Sequence, residues 1–72
     1  MPFTRPDFRE RSLELRYENN EVCIYGTEDG LKRLSDLIIA LVNKPKGAHI
    51  HLEDYELLTR DSLKAAVAVF DQ

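Results

Sequence analysis

Seventy-two residues are enough for one domain with one core and leave no room for a cleft between domains. Ten Lys and Arg against thirteen Asp and Glu give a formal charge of −3, which disfavours nucleic acid as a partner because such proteins usually present a basic face. With 43% hydrophobic and 32% charged residues, the composition is that of a globular chain rather than a disordered one.

Residues 1–11 carry Pro2, Pro6 and mixed charges without any period, and read as a loose N-terminal tail. The domain proper then spans residues 12–72. In "SLELRYE", Leu13, Leu15 and Tyr17 alternate with Glu14, Arg16 and Glu18, the pattern of a half-buried strand. "EVCIYG" continues it after Asn19-Asn20. Asparagine tolerates positive φ, so these two residues suit a two-residue hairpin turn. That turn sets Glu18 opposite Glu21, Tyr17 opposite Val22, Arg16 opposite Cys23 and Leu15 opposite Ile24. Apolar residues then face apolar ones across the pair.

The period changes at Thr27. Leu31, Leu34, Leu37, Ile38, Leu41 and Val42 fall at helical spacing and predict a helix over residues 27–44. Thr27 suits the N-cap, Glu28 and Asp29 suit the positive end of the helix dipole, and Lys44, Pro45 and Gly47 mark the end. Gly30 in the first turn costs up to about 1 kcal/mol against alanine unless close packing requires it.

Alternation returns at residues 48–53, with Ala48, Ile50 and Leu52 on one side and His49, His51 and Glu53 on the other. Residues 54–62 connect to a last strand over 63–71. There Leu63, Ala65, Val67 and Val69 share one face, and Lys64, Ala66, Ala68 and Phe70 the other. The sum is an α+β protein, ββαββ, with one helix on one face of a four-stranded antiparallel sheet. Strand directions allow the orders 1-2-4-3 and 2-1-3-4. The first is favoured, because the last strand is apolar on both faces and the first carries charges suited to an edge. The expected core is Leu15, Ile24, Leu34, Ile38, Leu41, Ile50, Leu52, Val67 and Val69.

On this plan the sheet face away from the helix is bare and carries His49, His51 and Glu53. Zinc needs three or four ligands, and the H-x-H pair finds a third only in Glu53 or in Cys23, two strands away in the favoured order. A solvated sheet face accounts for the histidines without a metal. Acid/base chemistry by His49 or His51, oriented by Glu53, lacks a nucleophile, since no elbow motif surrounds Ser12, Ser35 or Ser62. There is no phosphate loop or dinucleotide fingerprint, so neither an enzyme nor a bound cofactor is expected. Tyr25 and Phe70 are too few, and Glu14 and Glu53 too acidic, for stacking RNA bases on this face. What remains is a protein interface. Tyr25, Ala66, Ala68 and Phe70 form an apolar strip rimmed by His49, His51 and Glu53. The strip could serve another protein or a second copy in a weak homodimer, unless the N-terminal tail folds over it.

Cys23 is the only cysteine, which fits a reducing compartment. The N-terminus lacks the apolar stretch of a signal peptide, and the longest apolar run, Leu37 to Val42, is too short to span a bilayer. A cytoplasmic location off the membrane is expected.

"GTEDGL" opening the helix (Gly26 to Leu31) and "HIHLE" after it (His49 to Glu53) resemble the immunity protein 32 family of bacterial polymorphic-toxin systems. The likeness covers residues 21–70 and rests on Gly26, Thr27, Gly30, His49, His51 and Glu53. It implies a small, non-catalytic, toxin-neutralising protein and brings no catalytic residues with it. The alternative reading is a small metal-binding or catalytic protein built on His49 and His51.

Overall fold

The structure is a computed structural model that describes residues 3–71. Met1 and Pro2 of the expected tail, and Gln72 at the end of the expected domain, lie outside the described residues. Strands β1 (Leu13–Glu18) and β2 (Glu21–Gly26) precede the helix α1 (Glu28–Val42). Strand β3 (His49–His51), a 3-10 helix (Leu52–Tyr55) and strand β4 (Ala66–Ala68) follow it.

The hairpin forms in the register that the alternation specifies, from Leu13 opposite Gly26 to Glu18 opposite Glu21. Asn19 and Asn20 take φ of 53° and 62°, so both turn residues are left-handed and the turn's twist matches that of the strands. Helix α1 is capped as its sequence suggests. Thr27 is extended, and its Oγ1 accepts from the Gly30 amide at 3.0 Å. Asn43 closes the other end, its Nδ2 donating to the Ile39 carbonyl at 3.2 Å.

Gly30 is required by packing. A Cβ at this position would lie 2.2 Å from the Ser12 carbonyl oxygen. The same oxygen accepts from the Thr27 amide at 3.1 Å, so the helix start is pinned against the start of β1. The cost of glycine in a helix is offset by this close approach.

The single four-stranded sheet does not form. The molecule holds two separate two-stranded antiparallel sheets, β1-β2 and β3-β4, so neither 1-2-4-3 nor 2-1-3-4 describes it. Only Ala66–Ala68 of the expected last strand pairs as strand. Its upstream part docks elsewhere. Leu58 bridges Leu13 in parallel, so residues 57–63 run beside β1, on the side away from β2. Ser12 and Leu13 amides both donate to the Leu57 carbonyl, Thr59 donates to the Leu13 carbonyl, and Leu63 donates to the Leu15 carbonyl. The Leu15 amide finds the Ser62 hydroxyl at 2.8 Å instead of a backbone partner. A turn in which Ser62 donates back to Thr59 interrupts the run and separates the two sheets.

This placement reverses the expectation for β1. Flanked on both sides, it is interior rather than an edge. The core is Leu13, Leu15, Leu41, Leu52 and Leu57, with Leu13 and Leu57 fully buried. Ile24 and Ile38, expected inside, are exposed at 53% and 39%, because among the described residues no strand lies beyond β2 to carry the sheet under the helix. Leu34, Ile50, Val67 and Val69 are half-buried.

Being interior, β1 buries a charge. Glu14 is 4% exposed. One carboxylate oxygen accepts from the Thr59 hydroxyl at 2.5 Å and the other from the Arg16 guanidinium. Arg16 also donates to the Thr4 carbonyl at 3.0 Å, which ties residues preceding β1 to the sheet. Burial raises the Glu14 pKa, but the Thr59 and Arg16 bonds outweigh it and the net direction is downward.

Two predictions follow from this packing. Gly30→Ala gains helix propensity yet forces its Cβ into the Ser12 carbonyl, so the melt should show a net loss of about 1–3 kcal/mol. Glu14 has a folded pKa below its unfolded value. Its contribution is therefore present above the ordinary carboxylate range and is lost as pH falls through the lowered pKa. Glu14→Gln should cost about 1–3 kcal/mol at neutral pH and flatten the acid limb of a plot of Tm against pH. An unchanged acid limb would show that the carboxylate is not held as described.

Candidate protein-binding face

The β3-β4 ribbon places His49 opposite Ala68, Ile50 opposite Val67, and His51 opposite Ala66. Directly opposed residues share a face, so both histidines and both alanines lie together on one side. Ile50 and Val67 take the other side and are half-buried, whereas the four face residues are exposed. Beyond the strands the pairing continues, from the Gly47 amide to the Val69 carbonyl at 2.6 Å and from the Val69 amide to the Ala48 carbonyl at 3.0 Å. Gly47 has φ +91°, a value that only glycine adopts without strain, and it turns the chain into β3.

Each large imidazole faces a methyl group across the ribbon, so nothing in the opposing strand covers it. The two rings meet edge to face, with centroids 5.1 Å apart. Phe70, two residues past β4, is 73% exposed and continues the alternation of Ala66 and Ala68. The face is thus an imidazole pair, two small residues and an open aromatic ring.

Glu53 joins this cluster by a route other than alternation. It sits in the 3-10 helix after β3 rather than on the strand. Its Oε2 lies 3.6 Å from His51 Nδ1, and its Oε1 accepts from the Ala65 amide at 3.3 Å. Its pKa is lowered, first by its own backbone amide, with further help from the Ala65 amide and His51. A carboxylate held in this way lies beside His51 and borders the face with negative charge.

Tyr25 is not brought to this face. It lies on β2, in the other sheet, and its own chain occupies it. The Arg16 guanidinium sits 4.4 Å from the ring centroid, and Phe3 packs edge-on at 5.6 Å. Its hydroxyl donates to Glu18 at 2.5 Å, a bond that raises the phenol pKa. The expected strip is therefore divided. The residues preceding β1 lie over its β2 part, while the β3-β4 part stays open.

Cys23 is half-buried in the other sheet, and burial pushes its thiol pKa up, away from the reactive thiolate. Among the described residues, no three His, Cys, Asp or Glu side chains group so as to hold a metal ion. No helix of the described residues is long and apolar enough to cross a membrane. The Glu14–Arg16–Thr59 network is the feature that the sequence reading missed. The alternation sends Glu14 and Arg16 outward, and Thr59 falls in a segment without period.

Replacing both His49 and His51 by Gln should shift stability by no more than about 0.5 kcal/mol, as for other exposed positions. Metal analysis of the untreated protein should find no stoichiometric zinc. Stoichiometric zinc that disappears in the double variant would contradict this account of the face.

The family model for immunity protein 32 matches residues 21–69, from the start of β2 to just past β4. No curated protein and no solved structure matches the chain.

Proposed function

The chain belongs to the immunity protein 32 family, and on that ground we propose that it neutralises a protein toxin by stoichiometric, non-catalytic binding through the open face of β3-β4. The observation that carries this reading is the exposed Phe70 beside Ala66 and Ala68, within a rim of His49, His51 and Glu53. An aromatic anchor on a flat ground of small residues, with polar groups around it, suits a protein interface. Alanines let a partner's backbone or side chains approach the ribbon closely. The half-buried Ile50 and Val67 behind the face hold it in place.

The formal charge of −3 adds long-range attraction for a basic partner and repulsion for an acidic one. An acidic inhibitor would reach a basic toxin faster than a neutral one would. Neutralisation by binding requires no cofactor and no catalytic residue of its own. On this reading the protein works in the compartment where its toxin acts, which we take to be the bacterial cytoplasm.

The test is to capture the toxin with the tagged full-length chain from a native-host lysate and to reconstitute the pair from purified components. A one-to-one complex should form and toxin activity should fall in proportion to complex formed. Phe70→Glu, at an exposed position, should keep the fold and weaken binding at least ten-fold, about 1.4 kcal/mol or more. A toxin fully inhibited by both Phe70→Glu and Ala68→Arg would rule out this face.

A further inference from the structure

We propose that β2 is a dimerisation edge: two copies of this chain pair antiparallel along Val22, Ile24 and Gly26, and each buries the apolar flank of its helix against the other. This is independent of the toxin-binding reading, which concerns the separate β3-β4 sheet.

The first observation is the direction of the backbone. Leu13 and Leu15 use their N–H and C=O groups on residues 57–63, away from β2. In an antiparallel ladder, directly opposed residues either bond to each other or both point away. Gly26 and Ile24 are opposite Leu13 and Leu15, so their N–H and C=O groups point to the free edge, as do those of Val22. Among the described residues no strand pairs with β2 on that side, and only Phe3 of the segment preceding β1 borders it.

The second is the absence of the usual guards. Exposed edges normally carry lysine, proline or a bulge that prevents further pairing. The strand EVCIYG has one charge, Glu21 at its very start, and pairs with β1 in unbroken register. A groove of about 320 Å³ runs along it, lined by Phe3, Glu21, Val22, Cys23, Ile24 and Tyr25.

The third is the amount and continuity of exposed apolar surface. The accessible area is 5613 Å², about 1,000 Å² above the roughly 4,600 Å² expected for a compact 8.3 kDa chain. A standard interface takes about 800 Å² from each partner, so a dimer would draw on a large part of this excess, which is spread over the whole chain. Val22 and Ile24 are 61% and 53% exposed, on the face of β2 that looks toward the helix. Leu31 is packed over Gly26, where a Cβ would approach its Cγ to 2.8 Å. With Gly30 and Leu41 facing inward, Leu31, Ile38 and Val42 fall on one flank of the helix, about 80–120° around. All three are exposed. The strand edge, its apolar face and the helix flank therefore form one surface joined at Leu31.

The occupant is a second copy because the surface is complementary to itself. A two-fold axis through Ile24 sets Ile24 against Ile24 and Val22 against Gly26. Every outward backbone group of the strand is then paired, and identical apolar faces lie on the same side of a continuous four-stranded sheet. Such pairing closes, since each copy uses its one free β2 edge and leaves none for a third.

Sedimentation equilibrium of the full chain from low to high micromolar concentration, with amide exchange followed over the same range, tests this. The expected result is a monomer–dimer equilibrium in which the Val22 and Ile24 amides gain protection as dimer forms. Ile24→Lys should lose the dimer while circular dichroism stays unchanged, and Val22→Lys serves the same purpose if the first variant does not fold. Phe70→Glu, on the other sheet, should remain dimeric. A monomer at all concentrations overturns the proposal. So does a dimer that Phe70→Glu dissociates, or one whose Val22 and Ile24 amides stay unprotected.

Discussion

Strand β1 joins the two parts of the molecule because residues 57–63 dock on its free side. Four backbone hydrogen bonds cross that seam, at 2.9–3.1 Å, and the two fully buried side chains, Leu13 and Leu57, come from its two sides. The seam also explains why a charge is buried. Once residues 57–63 lie beside β1, Glu14 has lost water and needs partners, which Thr59 and Arg16 supply. Removing either the docking segment or the carboxylate's partners would leave β1 with unpaired backbone groups or an uncompensated charge.

The consequences run outward in both directions. On one side, the seam consumes β1's second edge and leaves β2 as the free edge of its sheet, with Val22 and Ile24 uncovered. On the other, the turn at residues 59–62 redirects the chain so that only Ala66–Ala68 pairs with β3. The short ribbon presents His49, His51, Ala66 and Ala68 outward and is bordered by Glu53 from the 3-10 helix. The stretch matched by the immunity protein 32 model includes His49, His51, Glu53, Ala66 and Ala68 and ends one residue before Phe70.

Local elements were legible in the sequence where a local rule governs them. The hairpin followed from alternation plus Asn19-Asn20, and the helix from its period plus Thr27. The resemblance carried by Gly26–Leu31 and His49–Glu53 led to the family. What alternation could not reveal was which strand the last segment would join. Its apolar residues suited a central position, but the deciding contacts are polar. Ser62 replaces a backbone donor's partner, and Thr59 completes the shell of Glu14. A charged face that looks exposed by period is buried when a neighbour supplies the bonds, so β1 read as an edge and proved interior. The same error moved Ile24 and Ile38 from the expected core to the surface. The site was partly legible for the same reason. His49, His51, Ala66, Ala68 and Phe70 need only the local ribbon to stand together, while Tyr25 needed the single sheet that does not form.

Residue-resolved amide exchange at low protein concentration, where any dimer is dissociated, addresses the seam most directly. Leu13, Thr59 and Leu63, whose amides donate across it, should exchange as slowly as the interior of the β1-β2 hairpin and open together with it. Fast exchange at Thr59 and Leu63 beside a protected hairpin would show that the segment is not docked on β1, and would remove the basis for the buried Glu14 network.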